Sequence, residues 1–205
     1  MGATVSVVGS DDDGVRPTEV VLKRLPDAIE ESLYVHERFP LIIDTSEQAA
    51  RFLKYQTGSF INQNDPIQFT KKNLNRALVG AMQYGRTMTL KFDSLRSIDP
   101  VELFEVGLFP SEILNRSEFY KEEIWQSIIK PDLGDPEPGE VSISTEFVFI
   151  ICTRDDYIPP ALERVMHVIK VVENSTKETG QENSEGNGDN MEQILSLYGA
   201  KEIIR

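Results

Sequence analysis

Little in this chain is equipped for chemistry. It has 205 residues, with one cysteine, one tryptophan and two histidines. Cys152 has nothing to pair with, which suits a reducing compartment. His36 and His167 share no metal-ligand spacing with it, and there is no Gly-x-Ser-x-Gly elbow and no Cys-His dyad at any readable spacing. Positive charge is also scarce. Lys and Arg total 21 against 34 Asp and Glu, a net charge of -13. That balance argues against a nucleic-acid partner, which needs clustered cations to displace counterions, and favours a basic protein surface instead. No apolar run approaches the roughly 20 residues of a membrane span. The N-terminus lacks the basic and apolar regions of a secretory signal. The chain therefore reads as cytoplasmic, and the sequons at Asn115 and Asn174 as silent. Met1-Gly2 with Ser6 matches an N-myristoylation pattern, but Asp11-Asp12-Asp13 would be repelled by an anionic leaflet, so no membrane partner is expected.

The absence that decides most is a phosphate loop. Gly-x4-Gly-Lys-Ser/Thr occurs nowhere. The nearest approach, Gly80-Ala81-Met82-Gln83-Tyr84-Gly85-Arg86-Thr87, has arginine for lysine and leads from a helix into a strand. A phosphate loop must run from strand into helix so that the helix N-terminus faces the anion. The stretch reads as a helix terminus.

What is present is a succession of short apolar runs separated by helical patterns. The strand-like run Thr87 to Asp93, entered through Gly85, is the centre of this arrangement. Residues 1–18 read as a flexible N-terminus, followed by a strand near Glu19 to Lys23 and a helix opened by Pro26 and Asp27. Phe39 to Asp44 is almost uniformly apolar, as in a strand covered on both faces. Thr45-Ser46-Glu47-Gln48 then predicts a helix cap ahead of Ala49, Phe52 and Leu53. Phe60 to Pro66 reads as a polar turn, and Thr70 caps a helix with Leu74, Leu78, Ala81 and Met82 on one face and Gly85 at its end. Asp99-Pro100 predicts a further amphipathic segment through Leu103, Phe104 and Val106, with Trp125, Ile128 and Ile129 as packing anchors beyond it. After a Pro/Gly/Asp loop at 131–139, a hairpin-like pair is predicted at Glu140 to Ser144 and Glu146 to Cys152, then a last strand from Met166 to Val172. Residues 173–190 hold no aliphatic side chain, which predicts a disordered acidic linker, and 191–205 recover helical spacing at Ile194, Leu195, Leu197 and Tyr198.

Uniformly apolar strands alternating with helices predict an α/β domain over residues 19–172, a parallel sheet between two helix layers. Ligands of such sheets lie at the C-terminal strand edge, so Asp44, Asp93, Thr153 and Arg154 should gather on one rim with Asp155. Asp155-Asp156 itself reads as a solvated turn. Ile67-Gln68 with Lys72 and Arg76 approximates the start of an IQ helix, but Asn73 replaces its glycine; the residues read as the first turns of the Thr70 helix, and calmodulin, itself acidic, is not an expected partner.

The order Leu25-Pro26-Asp27, Arg38-Phe39-Pro40-Leu41-Ile42-Ile43-Asp44, Gln48-Ala49, Tyr84-Gly85, the strand to Asp93, Asp99-Pro100, Phe147 to Thr153 and Pro159-Pro160 resembles the ATP-binding motor region of dynein heavy chains, in particular the fifth AAA+ module. It is also similar to a family of IQ-motif and ankyrin-repeat proteins carrying a dynein-like module near the C-terminus. The resemblance implies a three-layer P-loop NTPase fold, degenerate and without a complete lid after Val172. It implies a nucleotide rim at Asp44, Asp93, Thr153 and Arg154, with Thr153 or Arg154 in the γ-phosphate-sensing position. It also implies a protein partner of the cytoskeleton. Departures are pronounced: Asp44-Thr45 stands for the family's Asp-Pro, and Asp93-Ser94 for its acidic pair, which removes the second carboxylate of magnesium and water chemistry. The expectation is a non-hydrolysing structural or interaction module with no catalytic residue, metal or cofactor, ATP with magnesium not being expected to bind. The alternative is a weakly nucleotide-binding, ATPase-like protein.

Overall fold

The computed structural model describes residues 16–56, 58–96, 103 and 109–173. The myristoylation pattern, Asp99-Pro100, the linker beyond Glu173 and the terminal segment 191–205 lie outside them.

Six strands form one sheet: β1 (Thr18–Val21), β2 (Pro40–Ile43), β3 (Gly58–Asn62), β4 (Thr87–Phe92), β5 (Val148–Thr153) and β6 (His167–Val172). Their spatial order is β1-β6-β2-β5-β4-β3, and every neighbouring pair is parallel. The connecting helices are α1 (Leu25–Tyr34), α2 (Gln48–Lys54), α3 (Lys71–Tyr84), α4 (Arg116–Phe119), α5 (Glu122–Ile128) and α6 (Pro160–Val165). The molecule is thus an α/β domain built on an open parallel sheet, as its apolar runs predict.

The strand order also dictates the layers. Crossovers between parallel strands are right-handed, so chain segments that step along the sheet in opposite directions must pack on opposite faces. From β1 to β2 and from β2 to β3 the chain moves one way; from β3 to β4, β5 and β6 it moves back. Two cores result. Leu25 and Ala28 of α1 and Ala49, Ala50, Phe52 and Leu53 of α2 pack on Ile42, Ile150, Cys152, Ile169 and Val171. On the other face Leu74 and Leu78 of α3, Phe119 of α4 and Leu162 of α6 pack on Leu41, Ile43, Leu90, Phe149, Ile151 and Val168. Period-2 alternation along β2 sends Leu41 and Ile43 to one core and Ile42 to the other. This is why the strand has no polar position: all four of its residues are buried. The second core is aromatic at its centre. Phe39 meets Phe119, Phe147 and Phe149 edge-on at 6.2, 5.8 and 6.1 Å between centroids, and Phe109 stacks on Phe149 at 5.3 Å.

Helix ends follow local chemistry. The Thr70 hydroxyl accepts from the Asn73 amide at 3.4 Å, and α3 stops at Gly85, whose φ of 63° is the left-handed conformation glycine adopts freely. Pro26 sits in the first turn of α1, as predicted.

Three local expectations are corrected. Phe60 to Asn62 are not a turn but part of β3, an edge strand; only Ile61 is buried there, which leaves the strand without the apolar run that marks its neighbours. Glu140 to Ser144 do not form a hairpin with the following strand, because both sides of β5 are occupied by the parallel strands β2 and β4. The predicted cap of α2 is not built as a capping box: Glu47 takes the N-cap place with a φ of 60° and no side-chain cap bond. Leu103, Ile128 and Ile129 are buried, and Trp125 packs beside them against the core. No helix among the described residues is long and apolar enough to cross a membrane.

Candidate functional site

In a parallel sheet every strand ends on the same edge, so topology alone brings Asp44, Asp93, Thr153 and Arg154 to one rim. β2 and β5 are neighbours whose outgoing connections step in opposite directions along the sheet, toward β3 and β6 respectively. The chain therefore leaves the two strands toward opposite faces and opens a crevice at their C-terminal ends, the place where open α/β sheets bind ligands. Asp44 and Thr153 flank that crevice, and the Asp44 amide donates to the Thr153 carbonyl at 2.8 Å.

The Asp44 side chain is buried, 1% exposed. Its Oδ1 accepts from the Ser46 amide at 3.0 Å and from the Ser46 hydroxyl at 2.6 Å; Oδ2 accepts from the Ala49 amide at 2.6 Å. The carboxylate thus caps α2 from five residues upstream of Ala49, holding amides that would otherwise point unsatisfied into the crevice. An acidic side chain occupies the turn in which a phosphate loop would receive its anion.

Next along the rim lies a salt-linked cluster. Lys91 Nζ donates to Glu47 Oε1 at 2.8 Å and to Asp93 Oδ1 at 3.1 Å, and Asn64 Nδ2 donates to Asp93 Oδ2 at 2.6 Å. Arg154 Nε lies 3.5 Å from Glu47 Oε1. The Lys91 side chain is only 11% exposed. Desolvation works against its charge, yet the bonds to Glu47 and Asp93 prevail and hold its pKa above the ordinary lysine value. Its hydrogen bond in turn lowers Glu47, and bonds from Asn64 first and then Lys91 lower Asp93. Lys91 sits between two carboxylates, so a divalent cation would have to displace it to use them. No group of three or more metal-binding side chains occurs among the described residues.

The remaining rim acids are also paired. Asp155 accepts from the Ser94 hydroxyl at 2.7 Å, from the Arg96 guanidinium at 2.9 Å and from the Tyr157 amide at 3.2 Å; the Ser94 bond leads in lowering its pKa. Asp156 lies 3.4 Å from Lys170 Nζ. Thr153 is fully buried and accepts from the Asp155 amide at 3.2 Å, its hydroxyl engaged within its own loop.

All four predicted residues are thus brought together. Glu47, Lys91 and Asn64, which complete the cluster, were not foreseen. The pair Lys91 and Asp93 carried a readable signal, the spacing of two that sets side chains on one face of an extended chain, here at the end of β4 and just past it. Glu47 carried none, because its position depends on a left-handed turn after β2.

Other candidates resolve as structure. Gly80 lies within α3, Gly85 ends it, and Arg86 lies over the Tyr84 ring at 5.3 Å, so that stretch runs from helix to strand. Ile67 and Gln68 precede the Thr70 cap, their amides donating to Asp65 Oδ1, while Lys71, Lys72 and Arg76 are exposed on α3. Burial pushes the Cys152 thiol up to about 12, where it is inert at neutral pH. His167 is buried in β6. The Ser32 hydroxyl gives its proton to the Ala28 carbonyl at 2.8 Å, so it accepts from His167 Nδ1 at 2.6 Å, and Thr18 Oγ1 donates to Nε2 at 3.0 Å. Both ring nitrogens are satisfied by a neutral imidazole; burial first, then the charge of His36, lower its pKa to about 4.

A scan against models of known protein families finds none that matches this chain.

Proposed function

We propose that the chain is a dynein-like AAA+ module that does not hydrolyse nucleotide and serves as a structural or protein-interaction element of a cytoskeletal assembly. The order of motifs from Leu25 to Pro160 supports the family reading, and the rim supports the loss of activity. One observation carries the latter: the Asp44 carboxylate fills the turn between β2 and α2, accepting from the Ser46 and Ala49 amides. A phosphate entering that turn would meet a buried negative charge in place of a lysine. The cations nearest the crevice are committed as well, Lys91 to Glu47 and Asp93, Arg154 to Glu47. An incoming anion would therefore meet the carboxylates of Glu47 and Asp93 beside the cations it needs.

Weak nucleotide binding is favoured by a different observation, the convergence of Asp93, Thr153 and Arg154 at a sheet crevice. Titration calorimetry with ATP and ADP in the presence of magnesium separates the two readings. The expected result is no saturable binding that depends on Asp93. A low-micromolar dissociation constant that is lost on Asp93→Ala would establish a working nucleotide site. For the assembly role, proximity labelling from the intact protein in cells should recover cytoskeletal components; a labelled set without them would refute that part.

A further inference from the structure

At the opposite edge of the sheet, three arginines from separate stretches of the chain face one hollow of about 250 Å³. Arg38 lies just before β2, Arg116 opens α4 and Arg164 lies near the end of α6. β2 and β6 begin side by side, with Pro40 opposite His167, and this pairing brings Arg38 and Arg164 to the same end of the sheet.

Their state contrasts with that of the rim cations. Lys91, Arg96, Arg154 and Lys170 each have a carboxylate within 4 Å. Among the described residues, none of the three guanidinium groups at the hollow has one, although the chain carries a net charge of -13. Glu37 is the one carboxylate among the described residues lining the hollow. Arg116 is the best defined of the three. Its guanidinium carbon lies 6.0 Å from the Phe39 ring centroid and 5.6 Å from that of Tyr120, which holds the group between two aromatic side chains. Its Nε is buried and has no hydrogen-bond partner. Three like charges around one hollow repel one another, and a bound anion offsets that repulsion.

We infer that this hollow is a binding site for a phosphoryl group, distinct from the rim and independent of the nucleotide reading. Three planar guanidinium forks present more donors than the two oxygens of a carboxylate can accept, whereas a phosphoryl group offers three strongly accepting oxygens and close to two negative charges. Asn115 and Ser117 add polar atoms to the wall. The phosphoryl group is either free phosphate or the phosphorylated side chain of a protein partner.

The test is calorimetric titration of the full chain, at constant ionic strength, with inorganic phosphate, a phosphoserine peptide and the same peptide unphosphorylated. Saturable phosphate binding with a dissociation constant of about 1 mM or tighter is expected. It should weaken at least tenfold in Arg164→Gln, an exposed position whose replacement leaves the core intact, and likewise in Arg116→Gln. Arg86→Gln, exposed and outside the hollow, should bind as the parent does. A phosphopeptide that binds tighter than free phosphate identifies a protein partner as the source, and the reverse order identifies the free anion. Absence of saturable phosphate binding, unchanged affinity in both Arg164→Gln and Arg116→Gln, or equal affinity for the unphosphorylated peptide overturns the proposal.

Discussion

Replacing Asp44 by asparagine tests how the turn after β2 is held. The side chains are nearly isosteric, so the change leaves packing alone and alters only charge and hydrogen-bond character. Oδ1 receives the Ser46 amide and hydroxyl, and Oδ2 receives the Ala49 amide. A carboxylate accepts at both oxygens; a side-chain amide accepts at its oxygen and donates at its nitrogen, so either orientation of the replacement points an NH2 group at an N–H donor. Hydrogen bonds to a charged group contribute about 1.5–3 kcal/mol each, and a buried donor left unpaired costs a similar amount. At a side chain 1% exposed, water cannot easily replace the lost acceptor. The expected loss is about 2–3 kcal/mol for Asp44→Asn, non-additivity included. With a urea slope of about 2 kcal/mol per molar, the midpoint should fall by about 1–1.5 M with the slope unchanged. Ser46→Ala removes one of the three donors and should cost about 1 kcal/mol. Amide exchange at Ala49 should accelerate in Asp44→Asn beyond what the global loss explains. An Asp44→Asn midpoint within about 0.25 M of the parent would show that the turn amides have other acceptors, and the account of the rim as filled by its own carboxylate would fall with it.

Two further outcomes check other parts of the structure. His167 has a folded pKa of about 4 against an ordinary 6.5, so the unfolded chain binds the extra proton between those values; stability is full above pH 6.5 and is lost as pH falls toward 4, by at most about 3 kcal/mol. Chemical denaturation of the parent and of His167→Gln across pH 4–7 should show that extra fall in the parent alone, and parallel curves would refute the buried neutral imidazole. At Gly58 an added Cβ would lie 2.0 Å from the Thr87 carbonyl oxygen, a backbone atom of the paired strand β4, whereas at Gly80 it would meet nothing within 4 Å. Gly58→Ala should cost about 2 kcal/mol or more, while Gly80→Ala within α3 should add about 0.5–1 kcal/mol; thermal melts that fail to separate the two would argue against the β3–β4 pairing.

The residue pattern by itself determined the elements whose cause is local. β2 and β5 are buried on both faces, and burial of that kind demands an unbroken apolar run that is visible in one dimension. The ends of α3 follow from Thr70 and Gly85 because capping is a matter of a few neighbouring atoms. Even the shared rim of Asp44, Asp93, Thr153 and Arg154 was legible, since parallel strands all end on one edge. Only the tertiary structure decided the rest. β3 buries a single residue at the sheet edge, so its membership rests on pairing with β4 rather than on composition. Glu140 to Ser144 had strand-like residues but no free neighbour to pair with. Asp44 reads as a candidate ligand in the sequence and turns out to be a cap, because its role depends on the path of the chain through Glu47. Glu47 and Lys91, 44 residues apart, meet across the end of the intervening strand β5, and Arg38 and Arg164 of the hollow meet only because β2 and β6 pair. Contacts between distant segments depend on which strands lie side by side, and strand order is settled by competition among whole-sheet packings rather than by any short stretch of residues.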